Sequence, residues 1–181
     1  MRTLKLIAGA ALCSVALGVT AAAAQEIKIG VSIPAATHGW AGGLNWHAEQ
    51  AMTRLEEANP DIDIILIAAD GPAQQANDLE DLISIHQIDA LVVLPFESEP
   101  LTDPVRMVKD SGVFVTVVDR GLAQEGIEDV YVAGNNTALG TVSGEYFLTR
   151  LGEGDNIVIL RGIPTVIDDE RFNAFMETID G

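Results

Sequence analysis

The chain has 181 residues, 48% of them hydrophobic, and 27 acidic against 10 basic side chains give it a net charge of -17. That length and apolar share suffice for one well-filled domain of about 100 to 150 residues and little more. Lys and Arg form no cluster, which argues against nucleic acid or an anionic membrane as partner, because neutralising phosphates requires clustered cations.

The amino terminus, M-R-T-L-K, places Arg2 and Lys5 ahead of an apolar run from Leu6 to Val19 that ends in Thr20 and Ala21 to Ala24. A basic start, an apolar middle and an Ala-x-Ala site before Gln25 or Glu26 read as a secretory signal peptide over residues 1–24. A membrane anchor is the competing reading, and the run is short and rich in Ala and Gly for one. The single cysteine, Cys13, lies inside the leader and follows Leu12, whereas lipoprotein signals place a small residue there. The exported chain therefore has no disulfide or thiol chemistry.

After the leader, Glu26 to Ile33 alternates and then turns apolar, as a first strand does. The stretch P-A-A-T-H-G-W-A-G-G reads as a loop with two protruding groups, His38 and Trp40. Apolar residues at helical spacing predict a helix from Leu44 to Ala58, stopped by Asn59-Pro60. Ile62 to Ala68 is a second strand, Ala73 to His86 a helix, Ala90 to Leu94 a third strand and Leu101 to Ser111 a third helix. Val113 to Val118 is an unbroken apolar run, predicted as a strand buried on both faces, and it stops abruptly at Asp119 and Arg120. Val130 to Ala133 is a short apolar piece, Asn136 is placed to cap a helix from Thr137 to Leu151, Ile157 to Leu160 is a further strand, and Asp168 to Ile179 a last helix. Strict alternation of strand and helix implies right-handed crossovers and a parallel sheet.

No enzyme constellation emerges. His38, His47 and His86 lie far apart with no acid or cysteine at zinc-ligand spacing, Ser143-Gly144 lacks the nucleophile-elbow context, and Gly39, Gly42 and Gly43 do not match a dinucleotide fingerprint. Binding features are better represented. Ligands of open parallel sheets sit beyond the carboxyl ends of the strands, where Asp119 and Arg120 fall. A carboxylate accepts from two adjacent hydroxyls while a guanidinium donates to two, so the pair suits a neutral polyhydroxyl compound; a local salt bridge or loop anchor is the plainer alternative. Trp40 reads either as a packing or lid residue or as a stacking platform for a sugar ring. Arg171 is either a solvated helix charge or a fork for hydroxyls, and Asn135 either a turn residue or a hydrogen-bonder in a cleft.

The leader, the aromatic-bearing first loop, D-A-L-V-V-L-P at Asp89 to Pro95, V-T-V-V-D-R at Val115 to Arg120, V-A-G-N-N at Val132 to Asn136 and D-E-R-F-N-A-F at Asp169 to Phe175 together resemble the periplasmic substrate-binding proteins of sugar ABC importers, in their ribose-binding-like branch (type I periplasmic binding proteins). The resemblance covers essentially all of the chain after the leader. It implies an α/β fold, a parallel sheet flanked by helices, with a first ligand-binding lobe over residues 25–134 and the beginning of an incomplete second lobe over 135–181. On the same resemblance the protein is a non-enzymatic substrate-binding component of an ABC-type importer. It captures a monosaccharide or polyol between two lobes and delivers it to a permease in the inner membrane, as a periplasmic monomer without cofactor, metal or nucleic acid. The ligand-binding residues so implied are Trp40, His38, Asp119, Arg120, Asn135 and Arg171. The sequence departs from the ribose pattern at Leu94-Pro95-Phe96-Glu97, where ribose binders place an asparagine, and at His38-Gly39-Trp40, where they place two adjacent phenylalanines. Another pentose, a hexose or a polyol is thus implied as readily as ribose. The alternative role is a periplasmic sensor presenting its ligand to a chemoreceptor or histidine kinase.

Overall fold

The computed structural model describes residues 26–180; the leader and Cys13 lie outside the described residues. Five strands, β1 (Ile27–Pro34), β2 (Ile62–Ala69), β3 (Ala90–Val93), β4 (Phe114–Val118) and β5 (Val130–Val132), form one sheet in the order β2-β1-β3-β4-β5, every pair parallel. Helices α1 (Gly39–Ala58), α2 (Pro72–Asp81) and α3 (Ser98–Asp110) alternate with the strands as far as β4, β5 follows β4 without an intervening helix, and α4 (Asn136–Leu148) and α5 (Val166–Asp180) come after it. Helix α2 starts with proline in its first turn and runs on into a wider π turn, Leu82–His86, that stops at Gln87 in the left-handed region.

Successive strand residues face opposite sides of a sheet, and the two sides differ here. Leu91, Val93, Val115 and Val117 point towards α2 and α3, are fully buried, and join Leu79, Leu82, Leu101, Val105 and Val108 in the main core. The opposite side carries Ile29, Val31, Ile64 and Val92 against Leu44, Ala48 and Met52 of α1, where a cavity of about 270 Å³ lined by aliphatic side chains remains. Its lining gives nothing with which to orient a hydroxylated ligand. Beyond α1 the same side is open: Phe114, Val130 and Val132 are 50%, 40% and 54% exposed. The expectation that the fourth strand is buried on both faces is therefore corrected, since its burial alternates. An apolar run reads the same whether one helix layer covers a strand or two.

Three further expectations are corrected. Gly39 to Gly43 belongs to α1 and is not loop. Asn45 in its second turn donates to the Pro34 carbonyl at 2.9 Å, and Ala41 is buried, so tertiary contacts override three glycines, which are weak helix formers. The cap of α4 is Asn135, whose Oδ1 accepts from the Ala138 N–H at 2.9 Å, and not Asn136, which is buried. Ile157 to Leu160 does not form a strand. A strand requires a partner for its backbone groups, none pairs with it among the described residues, and Val158 and Leu160 stand 87% and 91% exposed.

Strand β5 is pinned to β4 by Asp129. Its carboxylate accepts from Lys109 Nζ at 2.6 Å on both oxygens and from the Val115 N–H at 2.8 Å. The hydrogen bond from Lys109, followed by that from Val115, holds the Asp129 carboxyl below its usual value. A depressed carboxylate contributes stability above the unfolded value of about 3.9 and loses it as pH falls through the folded value. Asp129→Asn is therefore expected to lower the melting temperature near neutrality and to flatten its fall below about pH 4, as read by thermal unfolding across pH.

Candidate functional site

The carboxyl ends of β1 and β4 and the amino end of α5 enclose a cavity of about 480 Å³, within the range of roughly 300–1,000 Å³ usual for small-molecule sites. His38 and Trp40 reach it from the start of α1, Asp119 and Arg120 from the end of β4, and Gly162, Ile163, Thr165, Ile167, Asp168 and Arg171 from the segment opposite. Five of the six residues expected from the sequence thus line one cavity. Asn135 does not line it: its Oδ1 caps α4 by accepting from the Ala138 N–H.

Each wall is fixed by identifiable bonds. Asp119 adopts φ 61°, a left-handed conformation that asparagine and aspartate tolerate better than other side chains, and this turns the chain sharply off the strand. The Tyr131 hydroxyl locks that turn by donating to the Asp119 carbonyl at 2.8 Å. Arg120 then folds back over the loop after β3, with Nη1 donating to the Phe96 carbonyl at 2.7 Å and more weakly to that of Pro95 at 3.4 Å. Burial pulls its guanidinium below the usual arginine range, while Asp119 and Glu97 oppose that shift and keep it charged. Arg120 is thus a loop anchor and a cavity wall at once, and it makes no salt bridge with Asp119 among the described residues.

On the facing wall, Arg161 Nε donates to Asp168 Oδ2 at 2.6 Å, Nη2 bonds Asp169, and the guanidinium lies 4.2 Å over the Phe172 ring. The Gly162 N–H adds a bond to Asp168 Oδ1 at 3.0 Å. Burial alone would raise the Asp168 carboxyl; the Gly162 and Arg161 hydrogen bonds outweigh it and hold Asp168 below its usual value, hence ionised. Arg171 donates through Nε to Asn136 Oδ1 at 2.8 Å, which aims the rest of its fork at the cavity. The two walls are stitched together by Ser98 at the start of α3: its N–H donates to the Pro164 carbonyl at 3.3 Å, and its Oγ accepts from the Val166 N–H at 2.9 Å. Gly121 allows this approach, since a Cβ there would stand 2.8 Å from Val166 Cγ2.

Arg161 is consumed by its two aspartates, so the groups left to face a ligand are the Arg120 and Arg171 forks, the Asp119 carboxylate, the His38 imidazole, Thr165 and the half-exposed Trp40 ring. Thr165, Asp168 and the Gly162-Ile163 turn were not legible as site residues. They follow the stretch misread as a strand, and an acid in the first turn of a helix is commonplace because it complements the helix dipole.

Residues 29–181 match the periplasmic binding protein domain. The ribose import binding protein RbsB of Bacillus subtilis (strain 168) is 32% identical over 101 residues, 56% of this chain and 32% of that protein. Among solved structures, an ABC transporter solute binding protein from Bacillus halodurans C-125 with bound myo-inositol superposes with a TM-score of 0.73 at 23% identity, covering 88% of this chain and 54% of that one. The fructose binding periplasmic domain of a hybrid two component system gives 0.72 at 24%, covering 85% and 50%. These two likenesses bear on the fold. The chain spans about a third to a half of the length of these proteins. With a family match over most of its residues and the same parallel sheet, the chain belongs to the periplasmic binding protein family.

Proposed function

We propose that this chain forms the first lobe, residues 25–134, and part of the second, 135–181, of the substrate-binding component of an ABC-type importer. It captures a monosaccharide or polyol in the periplasm, reached through the leader at residues 1–24, and hands it to an inner-membrane permease without chemical change. The observation that carries this reading is the meeting of Trp40, Asp119, Arg120 and Arg171 on one cavity. Two guanidinium forks and a carboxylate on one cavity can satisfy adjacent hydroxyls in both directions, and an indole face suits the C–H side of a sugar ring. The ribose import relative supports the substrate class.

A thermal-shift screen of the full-length protein against monosaccharides, polyols, amino acids and inorganic anions tests the reading. Stabilisation by a sugar or polyol is expected, and stabilisation only by an amino acid or an anion would overturn it. Tryptophan fluorescence adds a local test, because Trp40 lines the cavity and Trp46, further along α1, does not. The change on adding the stabilising sugar is expected to survive Trp46→Phe and to vanish in Trp40→Phe.

A second reading keeps the site and makes the protein a sensor for a receptor or histidine kinase, favoured by the likeness to the fructose binding domain of a two-component system. Neighbouring genes for a permease and an ATPase would favour import, and an adjacent histidine kinase gene would favour sensing.

A further inference from the structure

Gln75, in the first turn of α2, is fully buried, and its carboxamide is engaged on both ends. Nε2 donates to the Leu94 carbonyl at 3.0 Å and to Ser32 Oγ at 3.1 Å, and Oε1 accepts from the Phe96 N–H at 2.7 Å. The reverse orientation would oppose Nε2 to an N–H, so the bonds leave one arrangement of the amide. One side chain thereby pairs with the backbone on both sides of Pro95, as a neighbouring strand would, at the point where β3 has ended and the chain turns towards α3.

The same three-residue loop presents its other carbonyls to Arg120. Phe96 offers its N–H to Gln75 and its C=O to Arg120 Nη1 at 2.7 Å, so one residue joins the core amide to the guanidinium. Nη1 is occupied by this loop, while Nε and Nη2 of Arg120 bond no protein group among the described residues. We propose that Gln75 is a positioning residue for the ligand site: by fixing Leu94 to Phe96 it fixes the Arg120 fork at the cavity wall, and it sets affinity through Arg120 without touching the ligand. An aliphatic side chain would fill the same volume without desolvating an amide, so the cost of burying this one is offset by the loop it orders.

The inference rests on the proposed sugar site, and the test separates the two. In the full-length protein without added sugar, Gln75→Met is expected to raise the rate of phenylglyoxal modification of Arg120, read by peptide mass spectrometry, by about three- to tenfold, the worth of one lost hydrogen bond. The rates at Arg106 and Arg150, away from the loop, should not move. Equal acceleration at all arginines, or none at Arg120, would overturn the proposal whatever the protein binds. Calorimetry with D-ribose, D-xylose, D-fructose and myo-inositol then addresses the site. For whichever binds, Gln75→Met should weaken affinity by a similar factor alone and by less than about twofold in an Arg120→Ala background; additive losses would overturn the coupling. Should none of the four bind the unsubstituted protein, the same titrations are run with whichever sugar or polyol stabilises it in the thermal-shift screen, and the labelling result decides the role of Gln75 in either case. Should Gln75→Met not fold, Ser32→Ala, which removes one acceptor of the same amide, is expected to accelerate Arg120 labelling in the same selective way, and its failure to do so would also overturn the proposal.

Discussion

Gly140→Ala is expected to lower the melting temperature by about 4–10 °C, the equivalent of about 2–3 kcal/mol for a chain of this size. A Cβ at Gly140 would stand 2.8 Å from Ala174 Cβ and 3.0 Å from the Phe175 amide nitrogen, and would overlap the Arg171 carbonyl oxygen more closely still. At Gly144, one turn on, it would stand 2.7 Å from Thr178 Cβ and 3.1 Å from the Phe175 carbonyl oxygen. Most of these atoms are backbone or Cβ, which no rotamer change can move aside, so α5 itself must retreat. Helix propensity alone would favour alanine over glycine by about 1 kcal/mol, and the clash must exceed that gain for the sign to come out as stated. Gly43→Ala supplies the control: a Cβ there, in the second turn of α1, meets nothing within 4 Å, and a small rise in melting temperature is expected. Since α5 carries Asp168 and Arg171, Gly140→Ala should also weaken sugar binding, whereas Gly43→Ala should not.

The α4–α5 contact marks the limit of what the sequence discloses. Apolar runs such as Val113 to Val118 and Ala90 to Leu94 are legible because any buried strand requires them, and alternation with helices then dictates a parallel sheet. The motif V-T-V-V-D-R places Asp119 and Arg120 at a strand end, where the structure has them. What periodicity leaves out is whatever depends on a second segment. Whether Ile157 to Leu160 pairs as a strand depends on a partner, and the helical start at Gly39 depends on the Asn45 bond to Pro34. Gln75 looks like any polar residue of an amphipathic helix until the loop it holds is seen. The spacing of Gly140 and Gly144 does carry a signal of this contact, since small residues four apart on a helix mark a place where another backbone comes close.

Arg120→Ala is expected to weaken sugar binding by about thirty- to several-hundredfold, since hydrogen bonds to charged groups are worth about 1.5–3 kcal/mol each and a fork makes more than one. Two effects add in this variant. On the proposed site ligand hydroxyls would lose a donor, and the Phe96 carbonyl loses the guanidinium that it accepts from beside the cavity. Arg120→Lys separates them. Lysine keeps the charge and can reach one carbonyl, but a single ammonium cannot hold the loop and donate in parallel to two hydroxyls as the guanidinium plane does. If charge alone mattered, Arg120→Lys would bind within about threefold of the unsubstituted protein; with geometry decisive it should lose at least about tenfold. Titration calorimetry of both variants with the sugar that stabilises the protein best, alongside melting temperatures without it, makes the distinction. Thermal stability should fall only modestly in each, because Arg120 is half-buried at the rim of the fold and the main core between the sheet, α2 and α3 does not include it. Equal affinity of all three proteins would remove Arg120 from the site and leave it as an anchor of the loop after β3.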